Sequence, residues 1–116
     1  MLCPEIHRQR LIIEGHFEVD SINDAFVQGF LTELTGVMGM TPLSDPVIFS
    51  PDAVSEMHHG VGGFQPWAES GCSLYTWRDK KFFTLDVYSC KPYDVERLVS
   101  WVKTRLNTDN LQWRDA

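Results

Sequence analysis

With 116 residues, 43% of them apolar and 22% charged, the chain has the size and composition of one globular domain, which argues against a disordered protein or a second core. Its formal net charge of −6 argues against nucleic acid or an anionic membrane as partner, since either would need clustered Lys and Arg. No apolar run approaches the roughly 18 to 20 residues that span a bilayer, and the start MLCPEIHRQR lacks the apolar core of a signal peptide, so the expected location is the cytoplasm.

Taken in chain order, RLIIEGHFEV (Arg10 to Val19) is β-branched and then alternating, as a buried strand would be. Asp20 or Ser21 can cap a following helix, with Asp24 three residues beyond Ser21 as in a capping box. Ile22, Phe26, Phe30, Leu34 and Val37 form its apolar stripe, and Gly36 and Gly39 end it. DPVIFSPD (Asp45 to Asp52) reads as a short strand between prolines, and Val61 to Ala68 as another, weakened by glycines and Pro66. CSLYTW and KFFTLDVYSC alternate on either side of Arg78-Asp79-Lys80 and predict an antiparallel hairpin in which Phe83, Leu85 and Val87 share the core face. Pro92 and Asp94 open a second helix with Val95, Leu98, Val99, Val102 and Leu106 on one side, and NLQWRD can add an edge strand.

The order of elements predicts an α+β domain, residues 1–116, with two amphipathic helices on one face of a largely antiparallel sheet. The other face would carry Tyr88, Tyr75 or Leu74, Trp77 and Phe82, a patch that a second copy of the chain is expected to cover. Cys3, Cys72 and Cys90 are odd in number and not at metal-ligand spacing, so neither a disulfide framework nor a metal site is expected. The adjacent His58 and His59 would point to opposite faces of an extended segment, with a solvated loop the simpler reading. By itself Ser70 in Glu-Ser-Gly is a turn serine, Cys90 a small buried hydrophobe, Cys72 strand packing, and Asp86 equally a structural hydrogen-bond partner or a catalytic group.

The run GVGGFQPWAESGCSLYTWRDKKFFTLDVYSC, Gly60 to Cys90, resembles the core of the small prokaryotic S-adenosylmethionine decarboxylases. That family has Gly-Val-Ser-Gly, then Glu-Ser, a His-Thr-Trp strand, a turn, and an Asp-containing strand ending in Cys. Gly60 to Gly63, Glu69-Ser70, Thr76-Trp77, Asp86 and Cys90 fall at matching offsets without a gap, and RLIIEGHFEVD is similar to the family's first strand. The resemblance implies a proenzyme cut between Glu69 and Ser70 into chains 1–69 and 70–116. Ser70 would attack the preceding carbonyl in an N-to-O acyl shift at a strained, solvent-poor turn, and elimination would leave a pyruvoyl group in its place. That group would form a Schiff base with a substrate amine and act as electron sink during decarboxylation, and Cys90 would protonate the product. The resemblance further implies S-adenosylmethionine as substrate, a role in polyamine (spermidine) synthesis, no metal, and a homodimer or larger homo-oligomer with sites near the subunit interface.

Three positions depart from the pattern. Tyr75 stands where the family has its processing histidine, Gly62 where it has a serine that assists the ester step, and Glu56 where it presents an aromatic ring to adenine. Tyrosine donates a proton but is a poor base, glycine has no hydroxyl, and a carboxylate does not stack on a purine. With Trp77 and Asp79 taken as further substrate contacts, Glu56 would instead favour a small cationic amino acid such as ornithine or arginine. An uncleaved, non-catalytic relative with a structural or regulatory role is the alternative from another class.

Overall fold

The computed structural model describes residues 2–116. Six strands form one antiparallel sheet in the order β2-β3-β4-β5-β1-β6: β1 Gln9–His16, β2 Val47–Phe49, β3 Gly62–Trp67, β4 Ser70–Trp77, β5 Phe82–Ser89 and β6 Leu111–Asp115. Helix α1, Asp24–Val37, and helix α2, Val95–Arg105, complete the expected α+β architecture. The expected hairpin is present, but its turn takes in Lys81 as well as Arg78 to Lys80, so that Trp77 pairs with Phe82; β6 is the edge strand, paired to β1.

Alternation fixes the two sheet faces. Leu11 and Ile13 of β1, Cys72 and Leu74 of β4, and Phe83, Leu85 and Val87 of β5 are buried beneath the helices. Helix α1 contributes Val27, Phe30, Leu31 and Leu34, and α2 contributes Leu98, Val99 and Val102, at the spacing of a single helical face. The helices touch each other where Phe30 meets Trp101, centroids 4.9 Å apart, and where Arg105 Nε donates to Glu33 at 2.6 Å.

Three expectations for α1 require correction. The cap of α1 is Asn23, whose side chain accepts the Phe26 N–H at 2.8 Å, rather than Asp20 or Ser21, so no capping box forms. Its buried stripe correspondingly runs through Val27 and Leu31, whereas Ile22 precedes the helix and Phe26 and Val37 are half-buried. The helix also continues through Gly36, and the chain turns away at Gly39, whose φ of 64° is left-handed.

The glycines that weaken β3 as a sequence signal have a packing role in the strand. A Cβ at Gly63 would lie 2.6 Å from Leu31 and 2.9 Å from Val27, so the bare backbone is what lets α1 close onto the sheet. Trp67 is buried at the end of the same strand, and its indole N–H donates to Thr35 of α1 at 2.8 Å. These contacts anchor β3 immediately before the β3–β4 turn.

The face away from the helices carries Arg10, Ile12, Phe49, Phe64, Tyr75, Trp77, Phe82 and Tyr88. Tyr75 belongs to this face, because its neighbour Leu74 is fully buried on the other. Of the patch expected from the sequence, Tyr75 is 40% exposed while Trp77, Phe82 and Tyr88 are half-buried; Phe64, 46% exposed, adds to it.

Candidate active site

Trp67 and Ser70 are cross-strand partners, which leaves Ala68 and Glu69 as a two-residue turn. Glu69 has a φ of 67°, a left-handed conformation in which a side chain with a Cβ costs about 1 to 3 kcal/mol. The strain therefore sits on the residue that supplies the carbonyl of the Glu69-Ser70 bond. That carbonyl oxygen accepts the backbone N–H of Cys90 at 3.1 Å, because β5 runs past the turn in register with Ser70 paired to Ser89. The Ser70 hydroxyl lies on the helix side, 3.0 Å from Ser89 Oγ, 3.3 Å from the Ala68 carbonyl oxygen and 3.8 Å from Met40 Sδ. One turn thus combines a strained carbonyl, an N–H donor on its oxygen and a hydroxyl on the next residue, the groups an intramolecular acyl shift requires. The expected exclusion of solvent is not met by one chain alone: Glu69 is exposed and Ser70 half-buried.

Cys90 follows Ser89 and directs its thiol to the opposite face, where Sγ is 3.3 Å from the Tyr88 hydroxyl. That hydrogen bond, with burial added, holds the Tyr88 phenol above its ordinary value of 10.0. The Arg10 guanidinium covers the Tyr88 ring at 4.8 Å. A groove of about 430 Å³ opens on this face and reaches Ser70, with Arg10, Phe64, Gly71, Ser73, Asp86 and Tyr88 among its walls. The backbone beside Ser70 is thus reached from the groove while its hydroxyl points the other way. Asp86 is an exposed wall residue of the same groove.

Cys72 has a different character. It is buried in the core, which pushes its thiol from 9.0 up to about 12, and Tyr93 is pushed up from 10.0 to about 12, chiefly by burial. Above pH 9 the unfolded chain releases these protons while the folded chain keeps them, so the native state binds more protons and stability falls as pH rises from about 9 to about 12. Urea denaturation between about pH 8 and pH 11 will show this decline, and Cys72→Ala will make it shallower. An identical slope in the variant would show that Cys72 does not contribute.

The remaining residues singled out from the sequence lie elsewhere on the chain. Tyr75 is five positions along β4 from Ser70, about 16 Å at the strand rise of about 3.3 Å, and is on the open face beside Phe49 and His58. Trp77 is two positions farther, and Asp79 lies in the following turn. Glu56 is exposed in the loop between β2 and β3. The loop is exposed through residues 52–54 and 56–57, as a solvated segment would be, but its half-buried histidines are held against the far end of β4 and the loop backbone. His58 stacks on Trp77, with centroids 4.0 Å apart and planes 12° apart, and its Nε2 donates to the Thr76 carbonyl at 2.8 Å; His59 Nε2 donates to the Ser55 carbonyl at 2.9 Å. Within one chain, then, Ser70 and Cys90 lie at one end of β4, and Tyr75, Trp77, Asp79 and Glu56 gather toward the other. Among the described residues no group of three or more His, Cys, Asp or Glu side chains could hold a metal ion.

Gly62 also takes on a structural reason. A Cβ there would lie 2.6 Å from the Phe49 ring and 2.8 Å from the Leu74 carbonyl oxygen, so the place of a serine side chain is already filled. Gly62→Ser is accordingly expected to destabilise the fold by about 1 to 3 kcal/mol and to leave processing no faster. Chemical denaturation together with a cleavage time course checks both; a stable variant that cleaves faster would contradict the packing argument.

The profile of the family described as S-adenosylmethionine decarboxylase matches residues 12–116, nearly the whole chain. The chain belongs to that family. The crystal structure of the adenosylmethionine decarboxylase from Aquifex aeolicus VF5 superimposes with a TM-score of 0.75 at 19% identity, covering 96% of this chain and 89% of that one. At that identity the likeness shows the fold. No curated protein matches the sequence. Membership in this decarboxylase family agrees with the resemblance read from Gly60 to Cys90.

Three participants were not read from the sequence as site residues, although Tyr88 was placed in the open-face patch. Ser89 and Tyr88 flank or lie near Cys90 in an ordinary alternating strand, and only the β4–β5 register brings Ser89 to Ser70. Phe49 lies in a short strand whose pairing with Gly62 is a long-range contact. The three-residue turn read from the sequence would set Ser70 opposite Tyr88; the turn over residues 78–81 instead sets Trp77 opposite Phe82 and so Ser70 opposite Ser89.

Proposed function

We propose that the chain is a self-processing, pyruvoyl-dependent decarboxylase of polyamine synthesis, cleaved between Glu69 and Ser70, with S-adenosylmethionine as its first-choice substrate. The carrying observation is the Glu69-Ser70 bond itself: a left-handed Glu69, its carbonyl oxygen held by the Cys90 N–H, and the Ser70 hydroxyl beside it.

In this reading Ser70 Oγ bonds to the Glu69 carbonyl carbon, the bond to the Ser70 nitrogen breaks, and the hydroxyl proton ends on the freed amine. The Cys90 N–H stabilises the negative charge that develops on the Glu69 oxygen, the task of an oxyanion donor. Loss of the Ser70 α-proton then expels the Glu69 carboxylate, and water releases ammonia to leave the pyruvoyl group at residue 70. The residues present fit such a group, since residue 70 borders a groove of about 430 Å³ that also has Tyr88 in its wall, with Cys90 bonded to Tyr88. The group supplies an electron sink for loss of carbon dioxide from an amine-bearing substrate. Cys90, hydrogen-bonded to Tyr88, holds the proton that the product carbon receives.

Tyr75, Trp77, Asp79 and Glu56 are too far along β4 to join Ser70 of the same chain, so they would reach a site from a second copy packed on the open face. A homodimer of this kind would also cover Phe64 and Tyr75 and exclude water from the exposed turn. The exposed carboxylate of Glu56 supports ornithine or arginine as an alternative substrate. A second reading, an uncleaved structural or regulatory member, is favoured by Phe49 filling the place of the family's serine. Release of labelled carbon dioxide from carboxyl-labelled S-adenosylmethionine, ornithine and arginine ranks the substrates. S-Adenosylmethionine is expected to turn over best, and release from none of the three would overturn the decarboxylase.

A further inference from the structure

We infer that Ser89 is a positioning residue for self-cleavage, its buried hydroxyl holding the Ser70 hydroxyl on the helix side of the turn and so fixing the side from which Ser70 meets the Glu69 carbonyl. The inference rests on the self-processing reading above and deepens it.

Ser89 is fully buried, with a relative exposure of 0%, at the end of β5 and directly opposite Ser70 in the ladder. Its Oγ accepts the Lys91 N–H at 2.8 Å, which anchors the side chain in one place, and it lies 3.0 Å from Ser70 Oγ. A buried hydroxyl is stable only when its proton has an acceptor. Ser70 can send its own proton to the Ala68 carbonyl at 3.3 Å, so the arrangement that leaves no buried proton unpaired has Ser89 donating to Ser70 and Ser70 donating to Ala68. One lone pair of Ser70 Oγ is then bound and the other is free for attack.

Without Ser89 the half-buried Ser70 side chain would redistribute among its staggered rotamers. The acyl shift needs one of them, because its single new bond joins Ser70 Oγ to the carbon one residue back and its proton passes only to the Ser70 nitrogen. Misplacing a reacting atom by an ångström can cost on the order of a hundredfold in rate. Ser89 touches neither the carbonyl carbon nor the departing nitrogen in this scheme, and its effect passes through Ser70.

The test compares the full-length wild type with Ser89→Ala, Ser89→Thr and Ser89→Val. Chains are made by cell-free translation, sampled over time and read by denaturing mass spectrometry, with and without hydroxylamine to cut any accumulated ester. Thr and Val have nearly the same shape and differ in the hydroxyl. Ser89→Thr is expected to cleave within a few-fold of wild type, and Ser89→Ala and Ser89→Val on the order of tenfold more slowly or worse, with no hydroxylamine-sensitive ester. The Val variant is expected to melt a few degrees below the Thr variant and to remain folded, since valine leaves the Lys91 N–H without its acceptor. Cleavage of Ser89→Ala at the wild-type rate would overturn the inference and leave self-processing intact. So would ester accumulation in the Ala variant, which would place Ser89 at the elimination step, or equal slowing of Thr and Val in step with lost stability. A wild type that stays whole would overturn the processing reading itself, and this inference with it.

Discussion

Ser70→Ala will leave one intact chain of 116 residues, with no release of carbon dioxide from S-adenosylmethionine, ornithine or arginine. The loss is expected to be complete, because the oxygen removed is both the attacking group of the acyl shift and the ester oxygen whose expulsion would form the prosthetic group. Stability should change little by comparison. Ser70 gives up hydrogen bonds to Ser89 and Ala68, and the unpaired Ser89 hydroxyl costs about 1 kcal/mol or somewhat more. A folded, uncleaved variant would therefore separate chemistry from folding, and its melting curve should lie near that of the wild type. Normal cleavage in Ser70→Ala would place the scissile bond elsewhere.

Cys90→Ala is expected to separate the two halves of the chemistry. The group that holds the Glu69 carbonyl oxygen is the backbone N–H of residue 90, which alanine retains, so self-cleavage should continue within a few-fold of wild type. Turnover should fall by about 10²- to 10⁴-fold, the usual contribution of a positioned general acid. Mass spectrometry would then show two chains in a preparation that releases little carbon dioxide. Undiminished turnover would assign proton donation to another group, with Tyr88, 3.3 Å from the thiol, the first candidate.

The fold was legible where one periodicity ran long enough to be unambiguous. The β4–β5 hairpin alternates on both sides of a polar turn, and α2 carries Leu98, Val99 and Val102 behind an Asp94 cap, whose side chain accepts the Arg97 N–H at 3.1 Å. The start of α1 was less legible, because Asp20, Ser21 and Asn23 are all capable caps and the choice depends on how the chain leaves β1. Strand β3 reads poorly for a related reason: Gly63 has value only once Leu31 and Val27 of α1 are placed against it.

At the site, the sequence motif locates Glu69, Ser70 and Cys90 at one turn because the hairpin register forces them together. It also groups Tyr75 and Trp77 with Ser70, since they are near in sequence, whereas an extended strand carries them about 16 Å and about 23 Å away. Nor does any local pattern reveal that Gly62 lies beneath Phe49, or that the turn glutamate is left-handed. The absent hydroxyl at Gly62 and the altered Tyr75 therefore mean different things. At Gly62 the Phe49 ring takes up the room a side chain would need, whereas Tyr75 is a change on the exposed sheet face.

The central claim is that the bond between Glu69 and Ser70 breaks by the chain's own chemistry. Denaturing mass spectrometry of the purified wild-type protein tests it most directly. The account predicts two chains, residues 1–69 ending in a free carboxylate and residues 70–116 lighter by the mass of ammonia than a fragment beginning with serine. A single intact chain that persists on prolonged incubation would contradict it.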